Sequence, residues 1–150
     1  MIISPDSYLL DSDGKYIWSP KNVKNAWAAA QEKWKEFSSK EEFEVLALVI
    51  GPPGSGKTTF LSKFENPKWI YFDATNVAPK RRKHLLSLVK SSKLQKVAIV
   101  IDTPAEVCIK RNEERTPDRK VPADVMKRML DNLKMPDKSE GFDKIITIKS

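Results

Sequence analysis

Gly51-Pro-Pro-Gly-Ser-Gly-Lys-Thr-Thr59 holds three of the five glycines of this 150-residue chain within six positions. It satisfies the pattern G-x-x-x-x-G-K-[ST], follows the apolar run Val45 to Ile50, and precedes the helix-compatible stretch Thr58 to Phe64. That context gives the pattern a mechanism. Glycines let a backbone wrap closely around phosphate oxygens with its N–H groups turned inward, and the following helix adds the positive end of its dipole. Gly51, Pro53, Gly54, Ser55, Gly56, Lys57, Thr58 and Thr59 are the candidate nucleotide-binding residues. Lys57 is placed to reach the β- and γ-phosphates, and the Thr58 hydroxyl to meet Mg²⁺, which keeps several waters of its own.

Outward from this loop, apolar runs fall at Ile2 to Ser4, Val45 to Ile50, Trp69 to Phe72, Val97 to Ile101 and Ile145 to Ile148, each separated by enough residues for a helix. The alternation predicts an α/β protein with a parallel sheet covered on both faces. Ser19 and Pro20 form a cap and first-turn signal for a helix whose Val23, Ala26, Trp27, Ala30, Trp34 and Phe37 recur at helical spacing. Thr103, Pro104 and Glu106 predict a capping box opening a helix through about Arg115. Val125, Met126, Met129, Leu130 and Leu133 make the stripe of a further helix.

A carboxylate that organises the metal should end a strand near the loop. Asp73 opens the polar turn Asp73-Ala-Thr-Asn76 at the carboxyl edge of the sheet, where ligands of open α/β sheets bind. Asp102 is the other candidate, with helix entry as its alternative role.

With no repeat and no dividing linker, one domain over 1–150 is expected. The longest apolar run is far short of the ~20 residues of a membrane span, so a soluble, cytoplasmic protein is expected. Cys108, the single cysteine, excludes an intrachain disulfide and reads as a small buried apolar residue rather than a nucleophile. The formal net charge is +7, and Lys80, Arg81, Arg82, Lys83, Lys90, Lys93 and Lys96 fall in a stretch without any acidic residue. Such a cluster suits a polyanionic partner or a solvated helix face.

The phosphate loop, Asp73-Ala-Thr-Asn76 with Pro79-Lys-Arg-Arg82, Asp102-Thr-Pro104, Cys108-Ile-Lys-Arg-Asn112 with Arg115, Val121-Pro122 and Glu140-Gly-Phe142 together resemble the polynucleotide 5′-hydroxyl kinase branch of the P-loop kinases. The resemblance runs through nearly the whole chain. It implies a three-layer P-loop NTPase kinase fold, ATP or another NTP with Mg²⁺ as cofactors, and a lid around 111–122 carrying Arg111 and Arg115 over the phosphates. At i and i+4 these arginines would share one helix face, suited to a transferring phosphoryl group.

In that family a strand ending in an acidic acceptor-site motif, with a Trp- and Ala-containing helix, comes after the phosphate-loop helix. Here the similar residues, Ile2-Ile-Ser-Pro-Asp-Ser-Tyr8 and Ala26-Trp27-Ala-Ala-Ala30, come before it. The first two strand-helix units are exchanged, as in a local circular permutation with the chain cut where the acceptor strand begins. Five parallel strands are then expected in the spatial order 1-3-2-4-5. By transfer, Asp6 is the candidate general base, a simple turn being its other reading.

Several family members grip the acceptor phosphate with an arginine three residues after the base, where this chain has Leu9. Lys15, Lys21, Arg81 and Arg82 are candidate substitutes, the last two as acceptor-binding residues. The expected activity is phosphoryl transfer to a 5′-hydroxyl of DNA or RNA. A kinase acting on a modified base or a metabolite hydroxyl, and an ATPase or nucleotide-dependent nucleic-acid-binding module, are the other readings.

Overall fold

Strand β2 (Val45–Ile50) is buried at all six residues, the condition of a parallel strand covered on both faces. In the computed structural model, which describes residues 1–91 and 93–150, it pairs in parallel with β3 (Trp69–Asp73) and β4 (Gln95–Asp102). β1 (Ile2–Ile3) adds to β3, and β5 (Lys144–Lys149) adds to β4, both parallel. The five strands lie in the order β1-β3-β2-β4-β5, the order expected from the sequence.

Alternation along β2 divides the core. Leu46, Leu48 and Ile50 pack with Ala30 and Trp34 of α1 (Pro20–Ser38) and with Leu85 of α3 (Pro79–Ser87). Val45, Ala47 and Val49 face the other way, toward Leu61 and Phe60 of α2 (Lys57–Phe64). Helix on each face of the sheet gives three layers. Trp34 anchors the first face: it is fully buried, its Nε1 donates to the Leu85 carbonyl at 2.8 Å, and its ring meets Phe72 edge-on. The Ser19 side chain accepts from the Asn22 N–H at 3.0 Å with Pro20 at the first helical position, so α1 begins where the sequence places it.

Beyond β4 the expectation needs correction. The helix α4 runs from Ala105 to Glu113 with Pro104 outside it, and no side chain caps its N-terminus. The Thr103 hydroxyl is buried and donates to the Ser55 carbonyl at 2.7 Å, so it is spent on the phosphate loop instead of a capping box. Helix α5 (Ala123–Asn132) follows. Among the described residues no helix is long and apolar enough to cross a membrane.

Arg82 is a second correction. Its side chain is fully buried; Nε and Nη2 donate to the two Glu140 carboxylate oxygens at 2.7 and 3.1 Å, and Nη1 to the carbonyls of Asn76 and Val77 at 2.9 and 3.1 Å. With its guanidinium consumed by these four bonds, Arg82 has no free face for an acceptor. It ties α3 and the turn after Asp73 to the segment leading into β5.

Removing one partner of a buried, bidentate ion pair strands the other charge. Arg82→Ala is therefore expected to lower unfolding stability by about 3–5 kcal/mol. Chemical denaturation checks this, and a loss below about 1 kcal/mol, the range of exposed pairs, would contradict it.

Candidate active site

The loop between β2 and α2 is built by backbone contacts. Gly54 has φ +81°, and a Cβ there would stand 2.6 Å from the Cys108 carbonyl oxygen of α4, so a side chain is excluded both by conformation and by space. The Gly51 N–H donates to the Thr75 carbonyl at 3.0 Å, binding the loop to the turn that follows Asp73. Within that turn Asn76 is buried at φ 48°, and its Nδ2 donates to the Val49 carbonyl at 2.9 Å. Three elements thus hold the loop: the β3 turn, Thr103 at the end of β4, and α4.

Lys57, the first residue of α2, folds its ammonium onto the Gly51 and Pro52 carbonyls at 2.8 and 3.1 Å. Burial pushes its pKa down to about 8; Asp73 and Asp6 pull it back up, and Arg115 adds to the depression. Asp73, at the carboxyl end of β3, is held above the usual carboxylate range by burial, against the attraction of Lys57. Asp6 lies in the 3-10 turn Pro5–Tyr8 that follows β1. The residue reaches solvent, yet desolvation of its carboxyl raises its pKa, with Lys57 and Arg115 acting the other way. These mutual influences bring Asp6, Lys57, Asp73 and Arg115 to one neighbourhood at the carboxyl edge of the sheet.

A cleft of about 450 Å³ opens over the loop, lined by Gly54, Gly56, Lys57, Thr58 and Thr59 and by both Arg111 and Arg115. Arg111 Nη1 donates to the Gly54 carbonyl at 3.1 Å. Arg115 lies past the last residue of α4, so the expected single helix face is not formed; the two arginines share the cleft through the turn that follows the helix. Asn112 shapes that segment, its buried side chain donating to the Val121 carbonyl at 2.8 Å and accepting from the Val121 N–H at 3.0 Å. The clamp closes the segment Arg111 to Pro122 into a loop anchored on α4.

Asp102 is exposed at the end of β4 and does not figure among the charges acting on Lys57, unlike Asp73. Arg81 is exposed and stacks on Trp27, its guanidinium 4.0 Å from the centre of that ring. Leu9 is buried, and Cys108 is fully buried. Thr103 and Asn76 were not singled out as functional by sequence reasoning. Asn76 carried a usable signal, since asparagine is among the few residues enriched at positive φ.

Among the described residues no group of three or more His, Cys, Asp or Glu side chains could cage a metal ion. Thr58 and Asp73 are instead sparse, hard oxygen donors, the set that Mg²⁺ takes alongside phosphate oxygens and water. The donor chemistry fits.

Fold and loop define a P-loop protein of the kinase type. A family model described as an AAA domain matches residues 62–136, half of the chain, and the chain belongs to that family. The protein named Transcription factor bHLH140 of Arabidopsis thaliana is 25% identical over 162 aligned residues, which take in 77% of this chain. The chain spans 18% of the length of that relative. Family and loop together make this a nucleotide-binding domain of the P-loop kinase and ATPase class.

The depressed Lys57 pKa sets a pH dependence. Bound polyphosphate favours the charged amine, so ATP affinity should be full below about pH 8 and decline as pH rises through that value, where the free protein loses the proton. Calorimetric titration at constant ionic strength checks this. Equal affinity at about pH 7 and about pH 9.5 would contradict it.

Proposed function

We propose that the chain is an ATP- and Mg²⁺-dependent phosphotransferase of the polynucleotide 5′-hydroxyl kinase branch, its first two strand-helix units circularly permuted, and its acceptor the 5′-hydroxyl of DNA or RNA. One observation carries the reading: β1 pairs in parallel with β3, Ile3 beside Phe72, so the Asp6 turn follows β1 at the same end of the sheet as Asp73, within electrostatic reach of Lys57 and Arg115. A family match that begins at residue 62, past the phosphate loop, is consistent with a rearranged leading segment.

In this mechanism Lys57 and the loop amides hold the β- and γ-phosphates. Thr58 and Asp73 are the residues that would hold Mg²⁺, which when bound neutralises charge on the β- and γ-oxygens. Asp6 takes the proton of the attacking hydroxyl as its oxygen bonds to the γ-phosphorus. The bond from that phosphorus to the β–γ bridging oxygen breaks, and ADP departs with the electron pair. Arg111 and Arg115 stabilise the equatorial oxygens, where charge is spread in the transition state. Exposed cations of α3, Lys80 and Lys83 among them, offer the strand's phosphates a surface contact.

The test is incubation with γ-labelled ATP and a panel of 5′-hydroxyl DNA, 5′-hydroxyl RNA, hydroxymethylated duplex and nucleosides. Label on 5′ ends is the expected result, and label recovered only as free phosphate would replace the transferase by a hydrolase. Lys57→Ala should abolish transfer and weaken ATP binding without unfolding the chain. Arg111→Ala and Arg115→Ala should each lower kcat by about 10²–10³ with a smaller effect on ATP binding. Normal turnover in both arginine variants would remove them from the mechanism.

A further inference from the structure

After the Asp6 turn the chain forms a small ordered hairpin. The Leu9 N–H donates to the Asp6 carbonyl at 3.1 Å, the Ile17 N–H to the Leu9 carbonyl at 2.8 Å, and Leu10 bridges Tyr16 in antiparallel fashion. Asp11 Oδ1 closes the turn by accepting the N–H groups of Asp13 and Lys15 at 2.8 and 2.9 Å. Its open end is fastened to the loop that carries Arg115: Trp18 Nε1 donates to the Asp118 carbonyl at 2.7 Å, and the Arg119 guanidinium lies 4.9 Å from the centre of the Tyr16 ring. The hairpin therefore joins the base's turn to the segment after α4.

Trp18 is nevertheless 49% exposed, beside Ile17 at 48%, with Tyr8 at 41% on the Asp6 turn itself. The other tryptophan near this edge, Trp27, is covered by Arg81 and packed on Phe72. An indole held in place by a hydrogen bond, yet left half in water, is a fixed π-surface whose ordering is already complete before a ligand arrives. Exposed cations lie close by in sequence, Lys15 and Lys21 on either side of Trp18 and Arg119 and Lys120 directly after its partner Asp118, with Arg119 over the Tyr16 ring, alongside the carboxylates of Asp11, Asp13 and Asp118. Aromatic planes interleaved with cations fit a single-stranded nucleic acid, whose bases stack while its phosphates meet the charges.

We propose that Trp18 is the stacking platform for a base at the 5′ end of a single-stranded acceptor, setting that end beside Asp6. This rests on the phosphotransferase reading for its catalytic meaning, though strand binding stands apart from it. The platform selects unpaired ends, because a base within a blunt duplex has its faces taken by neighbours.

The full chain is titrated with a short 5′-hydroxyl oligodeoxynucleotide labelled at its 3′ end, single-stranded and as a blunt duplex, and acceptor KM and kcat are measured with ATP. Wild type is compared with Trp18→Phe and Trp18→Ala, whose thermal unfolding is recorded alongside. Trp18→Ala should weaken single-strand binding and raise acceptor KM roughly tenfold with the ATP KM in place, while Trp18→Phe, which loses the same Nε1 bond to the Arg115 loop, recovers most of the loss in binding and KM because it keeps a ring face. Equal loss in both variants would assign the effect to the indole N–H bond and overturn the platform, as would tighter binding of the duplex or a single-strand affinity that neither variant changes. Strand binding that depends on Trp18, without label on any hydroxyl, keeps the platform and removes the phosphotransferase reading. Transfer with an unaltered acceptor KM in Trp18→Ala does the reverse.

Discussion

A side chain at residue 54 would place its Cβ 2.6 Å from the Cys108 carbonyl oxygen, so the phosphate loop and α4 meet backbone to backbone. This close approach orders the elements around it. The Thr103 hydroxyl fixes the neighbouring Ser55 carbonyl from the end of β4, and Arg111, one turn along α4 from Cys108, reaches the Gly54 carbonyl. The loop that must bind phosphate and the helix that leads to the candidate lid are thus one packed unit. Displacing α4 would move the arginines and reshape the loop together.

Against this unit the sheet brings carboxylates from two other strands. Asp73 is positioned by the turn that receives the Gly51 N–H, and Asp6 by the pairing of β1 with β3. Burial raises both carboxyls and lowers Lys57, which means that desolvation outweighs their mutual attraction in each case. Charges that are poorly hydrated and only partly compensated bind a polyanion and its cation more strongly than solvated ones would. The same balance makes the site costly to the fold, and the stability lies elsewhere, in the two apolar faces of β2 and in anchors such as Trp34.

The strands were legible because parallel strands buried on both faces read as continuous apolar runs, and the start of α1 because Ser19 and Pro20 act within one turn. The spatial order of strands came from matching the motif units to a known arrangement, not from periodicity. Thr103 was misread since a local capping pattern carries no information about Ser55, whose carbonyl takes its hydroxyl instead. Arg82 looked like one of seven similar cations, and only the fold brings Glu140 to it. The attachment of the Leu9 to Ile17 hairpin to Asp118 likewise depends on a contact across 100 positions, which no local pattern encodes.

The placement of Asp6 as the group that acts on the acceptor is tested most directly by the pH dependence of single-turnover phosphoryl transfer in wild type and Asp6→Asn. In wild type the rate should rise with pH along an acid limb, because only the ionised carboxylate accepts a proton, and that limb should lie above the ordinary carboxylate range since burial raises the group. Asp6→Asn should lose the limb and about 10²–10⁴ in rate while binding ATP as before. An Asp6→Asn protein with the wild-type rate and the wild-type acid limb would contradict the assignment.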